Sequence, residues 1–306
     1  MDPKQESKRR AAAPPNEIKH ERIQKVLARL GIASRREAEE WIRSGRVTIN
    51  GRYAQLGDLY GPGDKLTANG KIIHPDQAMA EPTRILAYHK PTGEVVTRRD
   101  PEGRPVIFTQ LPRPSRGRWI SIGRLDINTQ GLLLVTNNGE LANRLMHPSG
   151  EVEREYAVRV LGTVNESAVN RLSQGIELED GFARFESIRT AGGEGANQWF
   201  HVTLKEGRNR IVRRMWESQG VVVSRLIRIR FAGVELPPRL RARMYQELLP
   251  EEVNRLLNLV GLPGESEATR DEKLTPGKGR GKVAPVKKSS STQGAGSTRI
   301  QKTRKP

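Results

Sequence analysis

The densest set of reactive side chains lies in Ile122–Gly139, where Arg124 and Asp126 sit in a turn-rich loop between two apolar runs. A loop held by strands is where general acid–base and nucleophilic groups tend to be presented. Asp, Asn and Thr also close ordinary turns by bonding their own backbone, so spacing alone leaves both readings open. A second concentration is Lys205–Trp216, with Arg208, Arg210, Arg213 and Arg214 at the start of an amphipathic helix. Guanidinium forks match phosphates, and Arg208, Arg210 and Arg214 suit an RNA-facing stripe near a helix start. Val212 and Met215 point inward and draw a neighbouring arginine toward the core, where a guanidinium needs a carboxylate partner. The third is Glu153–Val158, where alternation puts Tyr156 and Val158 on one strand face. A tyrosine so placed is either half-buried core or part of a site.

Several chemistries are excluded by what the chain lacks. There is no cysteine, which removes thiol nucleophiles, thiolate zinc and disulfides. The five histidines (His20, His74, His89, His147 and His201) form no pair at metal-ligand spacing. No Ser-His-Asp order and no Gly-x-Ser-x-Gly is present, and Gly192-Gly193-Glu194-Gly195 is not followed by the Lys-Ser/Thr of a phosphate loop. A histidine- or thiolate-based metal site is therefore not expected. The net charge of +18 favours a polyanionic partner, nucleic acid before acidic lipid. No apolar run approaches the roughly 18 residues of a membrane span, and the N-terminus has no apolar leader segment. A soluble, cytoplasmic, monomeric protein is expected.

The elements that must position these residues fall into two modules between basic arms. Residues 1–18 and 263–306 read as disordered. Ten Lys/Arg and no acid fall within 273–306, so more than half of the net charge sits on a tail that cannot bury a core. In the first module, 19–80, Ile23, Val26, Leu27 and Leu30 follow a helical period that Gly31 stops. Ser34 opens a second helix through a capping box with Glu37, and Ala38, Trp41 and Ile42 face a core. Val47–Tyr53 reads as strand, Asn-Gly turn and strand, the type I′ hairpin signal. Arg29, Arg35, Arg36, Arg43 and Arg46 surround the helices, either as an RNA grip or as a solvated basic face balanced by Glu37, Glu39 and Glu40. In the second module, 84–262, strands are predicted at Arg84–His89, Gly93–Thr97, Trp119–Ile122, Leu132–Thr136, Glu155–Val160, Phe200–Leu204 and Leu226–Phe231. Helices are predicted near 139–146, 166–174 and 211–219, with another starting at Pro250. Strands this frequent favour an α+β fold with a large, mainly antiparallel mixed sheet over a βαβ repeat.

Two resemblances follow from these residues. Arg22–Ala28, Ala33–Glu39 and Gly45–Gly51 resemble the S4-type RNA-binding domain. That implies binding to structured RNA, with Ser34, Arg35 and Arg36 in the first turn of the second helix facing the backbone. Gly123–Asn137, Glu155-Tyr156 and Glu206–Arg214 resemble the pseudouridine synthases of the ribosomal small-subunit synthase A family, with Lys90-Pro91-Thr92-Gly93 and Pro112 continuing the pattern. Within that family, Asn209-Arg210, Met215-Trp216-Glu217 and the basic tail most resemble the large-subunit synthases of type B. Asn138 stands where the family often has Asp, and Tyr245-Gln246 where Gln-Trp is commoner.

The resemblance implies isomerisation of a uridine in ribosomal RNA, as a 23S stem-loop or a large-subunit assembly intermediate. The N1–C1′ bond breaks, the uracil turns and a C5–C1′ bond forms, without cofactor or metal. Asp126 would supply the carboxylate, as nucleophile at C1′ or C6 or as base at the 2′ proton. Arg213 would keep it ionised, Tyr156 would stack under the extruded uracil, and Arg124 would occupy the vacated space or clamp the phosphate. Arg29, Arg46, Arg208, Arg210 and Arg214 would join Ser34, Arg35 and Arg36 in holding RNA. The alternative is a non-catalytic S4-like assembly factor carrying a dead synthase domain. The set Arg124, Asp126, Tyr156 and Arg213 separates the two, and all four are present. A methyltransferase would need a cofactor glycine loop that the chain lacks.

Overall fold

The computed structural model describes residues 20–75, 82–115, 117–195 and 197–265. The two arms, apart from residues 263–265, and the segment 76–81 lie outside the described residues, and so do the expectations placed on them. The N-terminal module comprises β1 (Glu21–Arg22), α1 (Ile23–Arg29), α2 (Arg35–Arg43), β2 (Val47–Ile49), β3 (Arg52–Tyr53), β4 (Leu59–Tyr60), β5 (Leu66–Ala68) and β6 (Lys71–Ile73). Strands β3-β2-β5-β6 make an antiparallel sheet, and β1 pairs with β4. The Ser34 hydroxyl accepts from Glu37 N at 3.1 Å while the Glu37 carboxylate accepts from Ser34 N at 3.2 Å, so the capping box starts α2 where expected. Asn50 and Gly51 both take positive φ (52° and 83°), the geometry of a type I′ turn. Ile23, Val26, Leu27, Ala38, Ile42, Val47 and Leu66 form the module's own core, with Trp41 partly buried against it.

The second module comprises β7 (Ile85–Lys90), β8 (Ile120–Ser121), β9 (Gln130–Thr136), α3 (Gly139–Met146), β10 (Arg154–Leu161), α4 (Glu166–Gln174), β11 (Ile176–Leu178), β12 (Gly181–Ala183), β13 (Ser187–Glu194), β14 (Asn197–Leu204), α5 (Ile211–Glu217), β15 (Val222–Phe231), β16 (Val234–Glu235), β17 (Tyr245–Glu247) and α6 (Pro250–Leu259). Its main sheet runs β13-β14-β10-β15-β9-β7-β17, with β8 on β9 and β16 on β15. Of these pairings β15 with β9 is parallel, and the others are antiparallel. The expected class, an α+β fold with a mainly antiparallel mixed sheet, is the one observed.

Both faces of the sheet are covered. Ile85, Ala87, Leu132 and Leu134 pack with α3 and α6. Leu86, Tyr88, Leu133, Val135, Tyr156 and Val158 pack with α4 and α5. Burial on both faces explains why Leu132–Val135 is a continuous apolar run, without the alternation of a half-solvated strand.

The predicted strand at Gly93–Thr97 does not form. Its backbone is spent on other partners: Gly93 N bonds Ile127 O at 2.7 Å, and Val95 makes a single isolated bridge to Val106. The sequence reading missed β13, whose Ser-Ile-Arg-Thr-Ala-Gly-Gly-Glu lacks alternation but which completes an edge by pairing with β14. Past the expected end of the module, Glu265 accepts from Thr83 N (2.9 Å) and Thr83 Oγ1 (2.6 Å), so the chain after α6 is tied back to the start of β7.

The two modules meet backbone to backbone. A Cβ on Gly31, which has φ +71°, would lie 2.3 Å from Gly117 Cα, so glycine permits both the turn after α1 and this approach. Lys25 Nζ reaches Glu140 of α3 at 3.2 Å across the same junction. The described residues of both modules fall in one compact unit.

Candidate active site

The loop from Gly123 to Thr129 joins β8 to β9, and every carbonyl from Asp126 to Thr129 is hydrogen-bonded. Asp126 O accepts from Thr129 N (3.0 Å) and from Lys90 Nζ (3.0 Å). Ile127 O accepts from Gly93 N (2.7 Å), Asn128 O from Arg213 Nη2 (3.0 Å), and Thr129 O from Lys90 Nζ (2.9 Å). Four successive carbonyls without sheet partners would otherwise be costly near a core. Their donors come from the end of β7, from the turn after it and from α5, so three elements fix the position of the Asp126 carboxylate.

That carboxylate is half-buried and lines a pocket of about 50 Å³ with Arg124, Thr129, Tyr156, Arg210 and Leu226. A volume near that of one or two waters cannot hold a uracil ring. Arg124 and Arg210 are exposed at its mouth. Asp126 makes no ion pair within 4 Å and no side-chain hydrogen bond among the described residues, which leaves both its oxygens available to a substrate. Tyr156 lies on β10 with only 9% exposure and presents itself to the same pocket.

Behind Tyr156 stands Arg228, its register partner on β15. Arg228 is 2% exposed, donates from Nε to Leu132 O at 2.7 Å, and its Nη2 has no hydrogen-bond partner. Burial pushes its pKa down, and the adjacent Tyr156 opposes that shift. Gly131, with φ +111°, lets the backbones of β9 and β15 close over this group: a Cβ there would sit 2.3 Å from Arg228 O.

The site residues expected from the sequence divide into three sets. Arg124, Asp126 and Tyr156 are brought together. Arg213 reaches the same loop in a different way from the ion pair expected. Its guanidinium donates to Val223 O (2.7 Å) and Asn128 O (3.0 Å), not to the Asp126 carboxylate. Burial and Arg210 lower its pKa, and Asp126 opposes them through space. The buried guanidinium finds acceptors in backbone carbonyls rather than in an acid, because α5 points it at the back of the loop. The phosphate-binding stripe is also reduced. Arg214 forms a two-pronged pair with Asp180 (2.8 and 2.8 Å), and Arg208 bonds Asp180 (2.9 Å) and Glu206. Both brace the β11–β12 hairpin against α5. Arg210, left-handed at φ 48°, alone of these three faces the pocket.

In the N-terminal module, Arg29 is engaged by Glu21 (3.0 Å), and Arg46 bonds Ser44 and lies over Trp41. Arg35 and Arg36 are exposed and have no side-chain acceptor among the described residues.

Lys90 belongs to a motif the sequence showed without indicating what its side chain does. It is fully buried, and its ammonium donates to Pro91 O, Asp126 O and Thr129 O. Burial pushes its pKa down to about 8, against the pull of Glu94 and Asp126. A lysine ending an otherwise apolar strand before Pro-Thr-Gly is a weak signal. The three carbonyls that make it specific come together only in the fold. Among the described residues no three His, Asp or Glu side chains converge on a metal-sized site, and no helix is long and apolar enough to cross a membrane.

The chain is similar to known proteins over most of its length. The family described as RNA pseudouridylate synthase matches residues 84–218, and the S4 domain matches residues 21–66. A "Ribosomal large subunit pseudouridine synthase B" of Pasteurella multocida is 53% identical over 273 residues, covering 89% of this chain and 79% of that protein. Its namesake in Escherichia coli (strain K12) is 54% identical over 250 residues, covering 81% and 86%. A solved structure described as a pseudouridylate synthase superposes with a TM-score of 0.54 at 26% identity, covering 77% of this chain and 99% of its own. These relatives carry the large-subunit name, and the small-subunit synthase A grouping read from the motifs finds no support among them.

Proposed function

The chain belongs to the RNA pseudouridylate synthases and carries an S4 domain, and from that premise we propose that it converts a specific uridine of large-subunit ribosomal RNA, the 23S species, to pseudouridine. It is an isomerase, and the substrate class is supported by the names of its relatives at 53–54% identity. The observation that carries the site is the convergence of Asp126, Arg124 and Tyr156 on one pocket, with the Asp126 loop braced at four successive carbonyls.

The roles follow from position. Asp126 offers two unpaired carboxylate oxygens at the end of a fixed loop, so no side-chain partner must be displaced before it acts. Lys90 and Arg213 hold the loop from behind through its backbone carbonyls and leave the carboxylate unblocked. Tyr156 forms the pocket wall against which a flipped base stacks. Arg124 and Arg210, exposed at the mouth, move aside for the base and meet the phosphates that accompany it. Arg35 and Arg36 carry the RNA contact of the S4 module. A dead synthase domain acting as an assembly factor has no need of a loop braced at this density around an unpaired carboxylate.

The test is a map of pseudouridine across ribosomal RNA in cells with and without the chain, together with conversion of a transcript by the purified protein. Loss of one large-subunit pseudouridine, restored by the wild type and not by Asp126→Asn, is expected. An unchanged map and no conversion in vitro would refute the reading.

A further inference from the structure

Between the two modules lies a cleft of about 690 Å³ that shares no lining residue with the Asp126 pocket. Six cations line it: Lys25, Arg29, Arg35, Arg36, Arg118 and Arg144. Three are matched. Glu21 holds Lys25 (3.5 Å) and Arg29 (3.0 Å), while Glu140 holds Lys25 (3.2 Å) and Arg144 (2.9 Å). Arg35, Arg36 and Arg118 are not: none of the three side chains makes a hydrogen bond or ion pair among the described residues. Arg118 is the least comfortable. It is partly buried beside the Gly31–Gly117 contact, and its Nε is buried without an acceptor. Its surroundings contain Arg35 from the N-terminal module, Arg98 from its own, and Glu37 as the opposing acid. Glu37 is already engaged as the capping-box acceptor of Ser34 N. A guanidinium with one nitrogen buried and no acceptor gains when an anion pairs with its accessible nitrogens.

We propose that this cleft binds the RNA sugar-phosphate backbone, with Arg118 of the synthase module and Arg35 of the S4 module closing on the same stretch of phosphates. The inference rests on the RNA-modifying reading above and adds to it a site that bridges the modules. In the free protein burial disfavours the Arg118 charge, Glu37 offsets that in part and Arg35 adds to it, at a junction where Gly31 meets Gly117 and Lys25 pairs with Glu140. A phosphate between Arg35 and Arg118 compensates that cost and bridges the modules. RNA binding and module docking are then coupled, each strengthening the other by the same factor.

The coupling predicts opposite signs in two measurements on the full-length protein. Affinity for a large-subunit ribosomal RNA stem-loop transcript should fall about 5- to 10-fold at low salt in Arg118→Gln. The slope of log K against log[salt] should flatten by about 0.7, one phosphate on a single strand. Melting of the RNA-free protein at low salt should move the other way, rising by about 1–2 °C as the cost of the buried charge is removed. Arg35→Gln should behave alike. The double variant should bind RNA better than the product of the two single losses predicts, and Arg118→Lys should recover most of the affinity.

Unchanged RNA affinity and salt slope in Arg118→Gln overturn the proposal. A lowered melting point in that variant marks a structural role and also overturns it. Inorganic phosphate at millimolar concentration is the third arm. If it stabilises the wild type but not Arg118→Gln while RNA affinity is the same in both, the cleft holds a free anion, and the RNA assignment fails. A wild-type protein that binds no RNA and converts no uridine overturns the functional reading and this inference together. Conversion with full RNA affinity in Arg118→Gln overturns this inference alone.

Discussion

Replacing Lys90 by Met tests whether the Asp126 loop is held in place by a buried ammonium. The side chains are similar in length, but methionine has no donor. Three carbonyls, Pro91 O, Asp126 O and Thr129 O, lose hydrogen bonds of 2.9–3.0 Å. At about 2 kcal/mol for each bond to a charged group, the loss is on the order of 6 kcal/mol. Relief of the buried charge opposes it. The fall of the Lys90 pKa from 10.5 to about 8 corresponds to roughly 3 kcal/mol of disfavoured ammonium. The net destabilisation near pH 7 is therefore about 3 kcal/mol, read by urea denaturation. With its folded pKa below the unfolded one, Lys90 makes the wild type more stable as pH rises from about 8 to 10.5, because the unfolded chain then binds more protons. Lys90→Met lacks that slope, so the gap between the two proteins widens over this window. For activity, a displacement of about 1 Å in a reacting group costs about 100-fold, so kcat should fall by that order while KM changes little. Tritium release from a transcript labelled at uridine C5 measures it. A variant within threefold of wild-type kcat and within about 0.5 kcal/mol of its stability would show that Gly93 and Arg213 suffice to hold the loop.

Asp126→Asn keeps the shape of the site and removes its charge, so pseudouridine formation should vanish with RNA affinity within a few-fold; turnover above about one per cent would dismiss Asp126 as essential. Arg213→Leu leaves Val223 O and Asn128 O without donors, at about 1–3 kcal/mol each. Both kcat and melting temperature should fall, and a variant as active and as heat-stable as wild type would refute the bracing role. Gly131→Ala puts a Cβ against Arg228 O at φ +111°. We expect insoluble or strongly destabilised protein, and normal melting would show that β9 and β15 can separate cheaply. Removing residues 273–306, with ten cations and no acid, should flatten the salt slope of RNA binding by roughly 3–4 units if half of them engage RNA, without changing which uridine is modified. A changed site would identify a specific docking segment.

Local rules already determined much of this protein. The capping box at Ser34, the Asn50-Gly51 turn, the helices after Asn138, Asn165 and Leu249, and the doubly covered apolar strands depend on contacts within a few residues, so the chain's own order reveals them. The three motifs that converge on the pocket were also legible, because Asp126, Tyr156 and the arginines around 208–214 are rare side chains in dense, patterned segments. What those side chains bond to was not. Arg213 was expected to pair with the Asp126 carboxylate and instead holds the loop by Asn128 O, while Arg208 and Arg214 turned from RNA toward Asp180. Lys90 gained its role from carbonyls 36 and 39 residues away. A backbone carbonyl carries no residue-type signature, so no pattern in the sequence marks which ones a buried lysine or arginine will satisfy. The unmatched Arg118 beside Arg35 likewise arises only where two modules with separate cores are brought together. Sequence periodicity sets the faces and ends of elements. Tertiary packing alone decides which cations find an acceptor and which are left for a ligand.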